Sequence, residues 1–174
     1  QSPQKNILVL SDAKAGHEKQ SLALVEMISS LGFKVVKDVV EVSSMSRAIS
    51  SLLSVAVLLL GPAFGRALLR FFLQEKTYSK IMPGAYDLVI STGSSLAALN
   101  LCMAYENNAR SIAIMRPGIF RFNRFDLLIM PQHDHPPQLK NVLVSIGSLN
   151  AVTPESMEKD FSNLSSVKIG LLVS

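Results

Sequence analysis

The sequence predicts an α/β fold, a parallel sheet with helices on both faces. Three observations carry that reading. Apolar runs the length of a buried strand recur at residues 7–10, 86–92, 111–115, 125–130 and 141–146. Stretches with apolar residues at helical spacing stand between several of them. Each run also closes on Gly, Pro, Ser, His or Asp, and in an open parallel sheet such polar strand ends line the crevice where ligands bind.

Taken in order, Ile7 to Leu10 is the first strand and Ser11-Asp12 breaks it. Residues 12–20 then read as a loop carrying a carboxylate, an ammonium, a glycine, an imidazole, a second carboxylate and an amide. Leu22, Val25, Met27, Ile28 and Leu31 form an amphipathic helix, with Gly32 at the position just past its end. Residues 33–42 are rich in β-branched side chains and give the second strand. Residues 47–60 are very apolar and stop at Gly61-Pro62, after which residues 63–72 resume with Arg66 and Arg70, then Lys76.

That apolar stretch is shorter than the ~20 residues needed to cross a bilayer. It has two readings. One is a pair of helices packed on the sheet. The other is an interfacial helix pair, with Leu68, Leu69, Phe71, Phe72 and Leu73 in lipid and Arg66, Arg70 and Lys76 at anionic headgroups.

The rhythm is regular from Tyr86. A strand at 86–92 leads through Gly93-Ser94-Ser95 into a helix at 96–105, and strands follow at 111–115, 125–130 and 141–146. Thr153 as N-cap, Pro154 at the first helical position and acids in the first turn predict another helix. Residues 167–174 are a further apolar strand with no helix after it, which a parallel sheet would require. The expected organisation is a domain at 1–152, a linker helix at 153–166 and the first strand of a truncated second domain at 167–174.

The totals fit one ordered domain, or one domain and part of another: 174 residues, 48% apolar and 17% charged, without a long charge run. A single cysteine, Cys102, excludes an internal disulfide and paired-cysteine metal sites, and its apolar surroundings predict a packed thiol. The net charge of +4 suits an anionic partner such as a phosphorylated metabolite, a nucleotide or an acidic membrane surface. No nucleic-acid motif accompanies it. The absence of a signal-peptide pattern sets the expectation of a cytoplasmic protein. Without G-x-S-x-G, Walker A or G-x-G-x-x-G, serine-hydrolase, P-loop and dinucleotide readings have no support.

Three clusters could carry chemistry. In the first, Asp12, Lys14, Gly16, His17, Glu18 and Gln20 surround a helix start whose free amides suit an anion, and His17 suits general-base work near neutral pH. The alternative is that Asp12 and Glu18 only cap that helix. In the second, Thr92, Gly93, Ser94 and Ser95 suit phosphate or sugar contact, or serve as a plain N-cap. In the third, His133, Asp134 and His135 lack a third metal ligand of clear spacing, so a polar substrate or cleft loop is preferred to a metal site. Arg116, Arg121 and Arg124 flank Phe120, Phe122 and Phe125, either as an anion- or membrane-facing loop or as surface cations over a partly buried aromatic cluster.

Together these motifs resemble the mitochondrial-fission Elm family and its bacterial glycosyltransferase relatives. The resemblance rests on residues 12–20 (Asp-Ala-Lys-Ala-Gly-His-Glu-Lys-Gln), Ile90-Ser-Thr-Gly93, Met130-Pro-Gln-His-Asp134, residues 141–147 and Val152-Thr-Pro-Glu155, in that order. Lys19 stands where the family usually has asparagine, and residues 47–80 diverge.

The resemblance implies a GT-B architecture, of which this chain is the Rossmann-like, acceptor-side half. It implies transfer of a sugar from a nucleotide-sugar, bound mainly by the other half, to a lipid-linked or cell-envelope saccharide. It implies no cofactor and no metal. Asp12 or His17 would be the base. Lys14, Gly16, Glu18, Gln20, Thr92, Gly93, Ser94, Ser95, Arg116, His133 and Asp134 would bind substrate, and this piece alone would be inactive. The rival expectations are a non-catalytic adaptor on the inner face of a membrane, as in organelle fission, and a nucleotide-sugar epimerase, which the missing dinucleotide motif disfavours.

Overall fold

In the computed structural model, which describes residues 3–42, 46–82, 84–147 and 149, the first apolar run becomes β1 (Gln4–Ser11). Its side chains alternate between the two faces of a sheet. Ile7 and Val9 pack with Leu88 and Ile90 on one face. Leu8 and Leu10 pack with Val89 on the other. A chain that is apolar at every position is thus buried on both sides, as a central parallel strand must be.

The remaining strands are β2 (Lys34–Glu41), β3 (Leu88–Thr92), β4 (Arg110–Ile114), β5 (Leu127–Pro131) and β6 (Val142–Ser145). All pair in parallel, in the order β2-β1-β3-β4-β5-β6. The α/β fold with a six-stranded parallel sheet, Rossmann-like, is therefore established. The strands fall within a few residues of their expected places.

Strand order determines where the helices go. The chain leaves β1 toward β2 and then recrosses β1 to reach β3. Right-handed crossovers running in opposite directions lie on opposite faces of the sheet. Accordingly α1 (Ala15–Ser30) packs Leu24, Val25 and Ile28 on the Ile7/Val9 face. On the other face lie α2 (Arg47–Leu60), α3 (Gly65–Phe72) and α5 (Ala97–Asn107), with α4 (Glu75–Ile81) beside them.

Local chemistry sets their ends. Gly32 at φ 91 closes the turn after α1. Ser46 caps α2 by accepting from the Ile49 amide at 3.3 Å. Asn108 ends α5 in the left-handed conformation.

A Cβ at Gly65 would stand 3.0 Å from Cys102 Cβ, so α3 approaches α5 at backbone range. Asn100, fully buried on α5, donates from Nδ2 to Val89 O at 3.2 Å, Ser91 Oγ at 2.9 Å and Ile112 O at 2.9 Å, tying β3 to β4 from above. The expected linker helix at 153–166 and strand at 167–174 lie outside the described residues.

One expectation needs correcting. Residues 12–20 are mostly not a loop: α1 begins at Ala15, so Gly16, His17, Glu18 and Gln20 sit on its first turns. The pair of helices expected after residue 46 is also three, with a 3-10 turn at Pro62–Phe64 between α2 and α3.

Candidate functional site

The strand order reverses at β1, and its neighbour across the reversal is β3. The crevice between the carboxyl ends of those two strands is where this topology binds ligands. Both polar clusters from these strand ends meet there.

On the β1 side the chain turns through Asp12, Ala13 and Lys14 into α1. Ala13 holds φ 63, a left-handed conformation that costs a non-glycine residue roughly 1–2 kcal/mol. Two short hydrogen-bonded turns hold it there: the Ala13 amide donates to Ser11 Oγ at 3.3 Å and the Lys14 amide to Asp12 Oδ1 at 3.3 Å. Ser11 Oγ in turn donates to Glu18 Oε2 at 2.7 Å, fastening the turn to the helix. Glu18 is thereby a brace for the turn.

Asp12 is the hub. Its carboxylate accepts from Lys14 Nζ at 2.9 Å, from His17 Nδ1 at 3.0 Å and from Ser95 Oγ at 3.4 Å. Burial pushes its carboxyl up, but the Lys14 ammonium, the His17 ring and the Lys14 amide outweigh that and hold it below its ordinary value. A carboxylate so held is a poor proton acceptor. It is a good orienting group.

An ionised carboxylate only accepts, so Nδ1 of His17 carries the proton and Nε2 of the neutral ring is left with its lone pair. Nε2 has no hydrogen-bond partner among the described residues. His17 is partly exposed, at 21% of its side chain. The arrangement follows the acid–histidine half of a catalytic triad: the acid fixes tautomer and orientation, and the outer nitrogen moves the proton. Of the two residues expected as base, His17 presents a nitrogen without a hydrogen-bond partner among the described residues, and Asp12 orients its ring.

The β3 side supplies the floor under the ring. Gly93 has φ 88, and a Cβ there would stand 2.9 Å from His17 Cε1 and 3.2 Å from Nδ1. The imidazole lies directly on the glycine backbone, so Gly93 makes room for His17. Thr92 is buried, and its Oγ1 is bonded to Ser21 Oγ at 2.8 Å. Its hydroxyl therefore locks α1 to β3. Ser94 is exposed at the rim and Ser95 is half-buried.

The other residues named from sequence stand further out. Gly16 is exposed and a Cβ there would meet open space, so the fold itself does not demand glycine at that position. Gln20 is half-buried on α1. Arg116 is exposed after β4 and lies over the Phe122 ring at 5.6 Å, while Phe120 and Phe125 are buried edge-to-face. Surface cations over a buried aromatic cluster is thus what residues 116–125 form. That loop returns toward the site at Gly118, where a Cβ would stand 3.2 Å from Ser94 Cβ.

His133 and Asp134 form a 3-10 turn after β5, with His133 exposed and 3.8 Å from Asp134. No described hydrogen bond or ion pair joins them to Asp12 or His17. Among the described residues, no group of three or more His, Cys, Asp or Glu is placed to hold a metal ion.

Sequence reasoning missed Ser11 and Ser21. Ser11 was visible as the polar residue closing an apolar strand. Ser21 carried no signal, because its role depends on Thr92 lying opposite.

A comparison with protein-family models matches residues 15–172 to the mitochondrial fission ELM1 family. The chain belongs to that family. His17 and residues 92–95 fall inside the matched span, and Asp12 lies just before it. No curated protein and no solved structure matches the chain. The match bears out the family resemblance read from the sequence, and the site geometry adds how the first two polar clusters meet.

Proposed function

We propose that this ELM1-family chain is the acceptor-side half of a two-domain, GT-B-type glycosyltransferase working at the cytoplasmic side of a membrane, with a saccharide hydroxyl as acceptor. The observation that carries the reading is the Asp12–His17 pair, with Nδ1 held at 3.0 Å and Nε2 free at the switch-point crevice. Nε2 of His17 takes the proton of the acceptor hydroxyl as its oxygen bonds to the anomeric carbon. The glycosidic bond breaks with its electrons going to the nucleoside diphosphate, which leaves.

Lys14, 64% exposed at the start of α1, and the helix's first amides favour that developing negative charge. Lys14 cannot serve both partners equally well. Moving its ammonium toward a phosphate weakens its hold on Asp12, which tightens the claim of Asp12 on the His17 proton and makes Nε2 the stronger base.

General-base catalysis contributes roughly 10²–10⁴-fold. Full-length protein carrying His17→Ala should lose turnover by about that factor on a nucleotide-sugar that raises its melting temperature. Wild-type turnover in the variant would remove His17 from the mechanism. A thermal shift with no nucleotide-sugar would oppose the transferase reading and favour the adaptor, to which the exposed face of α2 also speaks.

A further inference from the structure

The inner face of α2 is built as a packed helix: Ser50, Leu53, Ser54 and Val57 are buried at helical spacing, toward α3 and α5. Its outer face is not. Ala48, Leu52, Val55 and Leu59 recur at the same spacing on the opposite side, all exposed, with Leu52 61% and Leu59 77% accessible. After Arg47 the helix carries no charge, and the outward apolar surface continues through Leu58, Leu60, Phe64 and Phe71, the last 82% accessible. A helix that is apolar all round belongs in an apolar environment on both sides. Here the described residues supply one on one side only.

The charge distribution identifies the other. Residues 47–80 contain Arg47, Arg66, Arg70, Lys76 and Lys80 against a single acid, Glu75, a net of +4 that equals the net charge of the whole chain. The rest of the sequence sums to zero. Arg66 pairs with Glu106 of α5, and Arg70 pairs with Glu75. Arg47, Lys76 and Lys80 have no carboxylate at ion-pair distance among the described residues. A segment whose exposed side chains are aliphatic and whose net charge is cationic complements a partner that is apolar inside and anionic at its boundary. A second copy of this face would bring like charges together.

Among the described residues no single helix is long and apolar enough to cross a membrane, and α2 and the segment after it bend by 118°. The geometry points to a peripheral mode: we infer that the outer face of α2 and Phe71 of α3 dock into the surface of a bilayer bearing anionic headgroups. The inference does not depend on the transfer reaction, because an adaptor would use the same face. It does place the crevice. Ser50 Oγ of α2 donates to Ser95 O at 2.6 Å, and Ser95 Oγ reaches Asp12, so the docking helix is joined to the candidate site through one residue.

The test is co-sedimentation of the full chain with vesicles of phosphatidylcholine containing phosphatidylglycerol, and with phosphatidylcholine alone. Binding should favour the anionic vesicles and weaken as salt rises. Leu59→Glu with Phe71→Glu should lower partitioning at least about tenfold while the circular dichroism spectrum is kept, because both side chains are exposed. Lys76→Gln with Lys80→Gln should lower it by about 25-fold, each surface cation being worth about fivefold. Absence of binding, or binding unchanged by the glutamates, overturns the proposal. So does a drop in melting temperature or in oligomeric state caused by the glutamates without vesicles, which would show that the chain itself, or a second copy, covers the face.

Discussion

Replacing Gly93 by alanine tests whether the glycine exists to seat His17. The added Cβ would lie 2.9 Å from His17 Cε1 and 3.2 Å from Nδ1, closer than carbon atoms settle without displacement. Two costs follow. Alanine at φ 88, ψ 164 enters a region that is essentially reserved for glycine, at roughly 1–3 kcal/mol. The ring must also move by several tenths of an ångström, which disturbs its 3.0 Å bond to Asp12. In a chain of this size 1 kcal/mol shifts the melting temperature by about 2–4 °C, so a loss of roughly 2–12 °C is expected. The stability loss alone would follow from backbone strain. The distinguishing readout is the pair of His17 ring-nitrogen chemical shifts, which should move in Gly93→Ala and remain unchanged in Gly118→Ala, a glycine also at positive φ that touches Ser94. Unchanged His17 ring-nitrogen shifts in Gly93→Ala would refute the seating argument.

Three further outcomes follow from the same contacts. Because the Asp12 carboxyl is held below its ordinary 3.8, its ionised form stabilises the fold above about pH 4, and that contribution is lost as pH falls through the lowered value. The melting-temperature gap between wild type and Asp12→Asn should therefore be constant near neutrality and shrink below pH 4, and a gap that widens in acid would contradict it. Burial, helped by the charge of Glu106, pushes the Cys102 thiol up to about 12, so the native chain should react with a disulfide reagent only as fast as it unfolds. Asn100→Asp exchanges two donors for a charge that faces the Val89 and Ile112 carbonyls in the core. It should cost several kcal/mol by thermal denaturation, whereas a near-wild-type melt would show that β3 and β4 do not need that tie.

Most of the fold was legible because burial leaves a pattern. The inner strands were visible as apolar runs with both faces covered and the edge strand β2 by its β-branched residues alone, and α2 was delimited to the residue, since Gly61 at φ 85 and Pro62 cannot continue it. The start of α1 was not legible for the same reason inverted. Its first turns, with Gly16, His17, Glu18, Lys19 and Gln20, overhang the end of the sheet and bury little, so periodicity registers only the half that packs from Ser21 onward. That overhang is also what brings the polar residues into the crevice.

The site was half legible. Polar strand ends mark a crevice, but the meeting of Asp12 with Ser95, 83 residues apart, and of His17 with Gly93 depends on β1 lying beside β3. Strand order is a property of the packed sheet. No local sequence pattern encodes it. Thr92 shows the converse error: a hydroxyl at a strand end looked like a ligand contact, and Ser21 occupies it from inside.

The central claim is that Asp12 fixes the tautomer of His17 and leaves Nε2 able to take a proton. Long-range nitrogen–proton correlation on histidine-labelled protein tests it directly, and with three histidines in the chain His17 is assigned by comparison with His17→Ala. The neutral ring should carry its proton on Nδ1 in the wild type and lose that preference in Asp12→Ala. A neutral His17 protonated on Nε2 in the wild type would contradict the account.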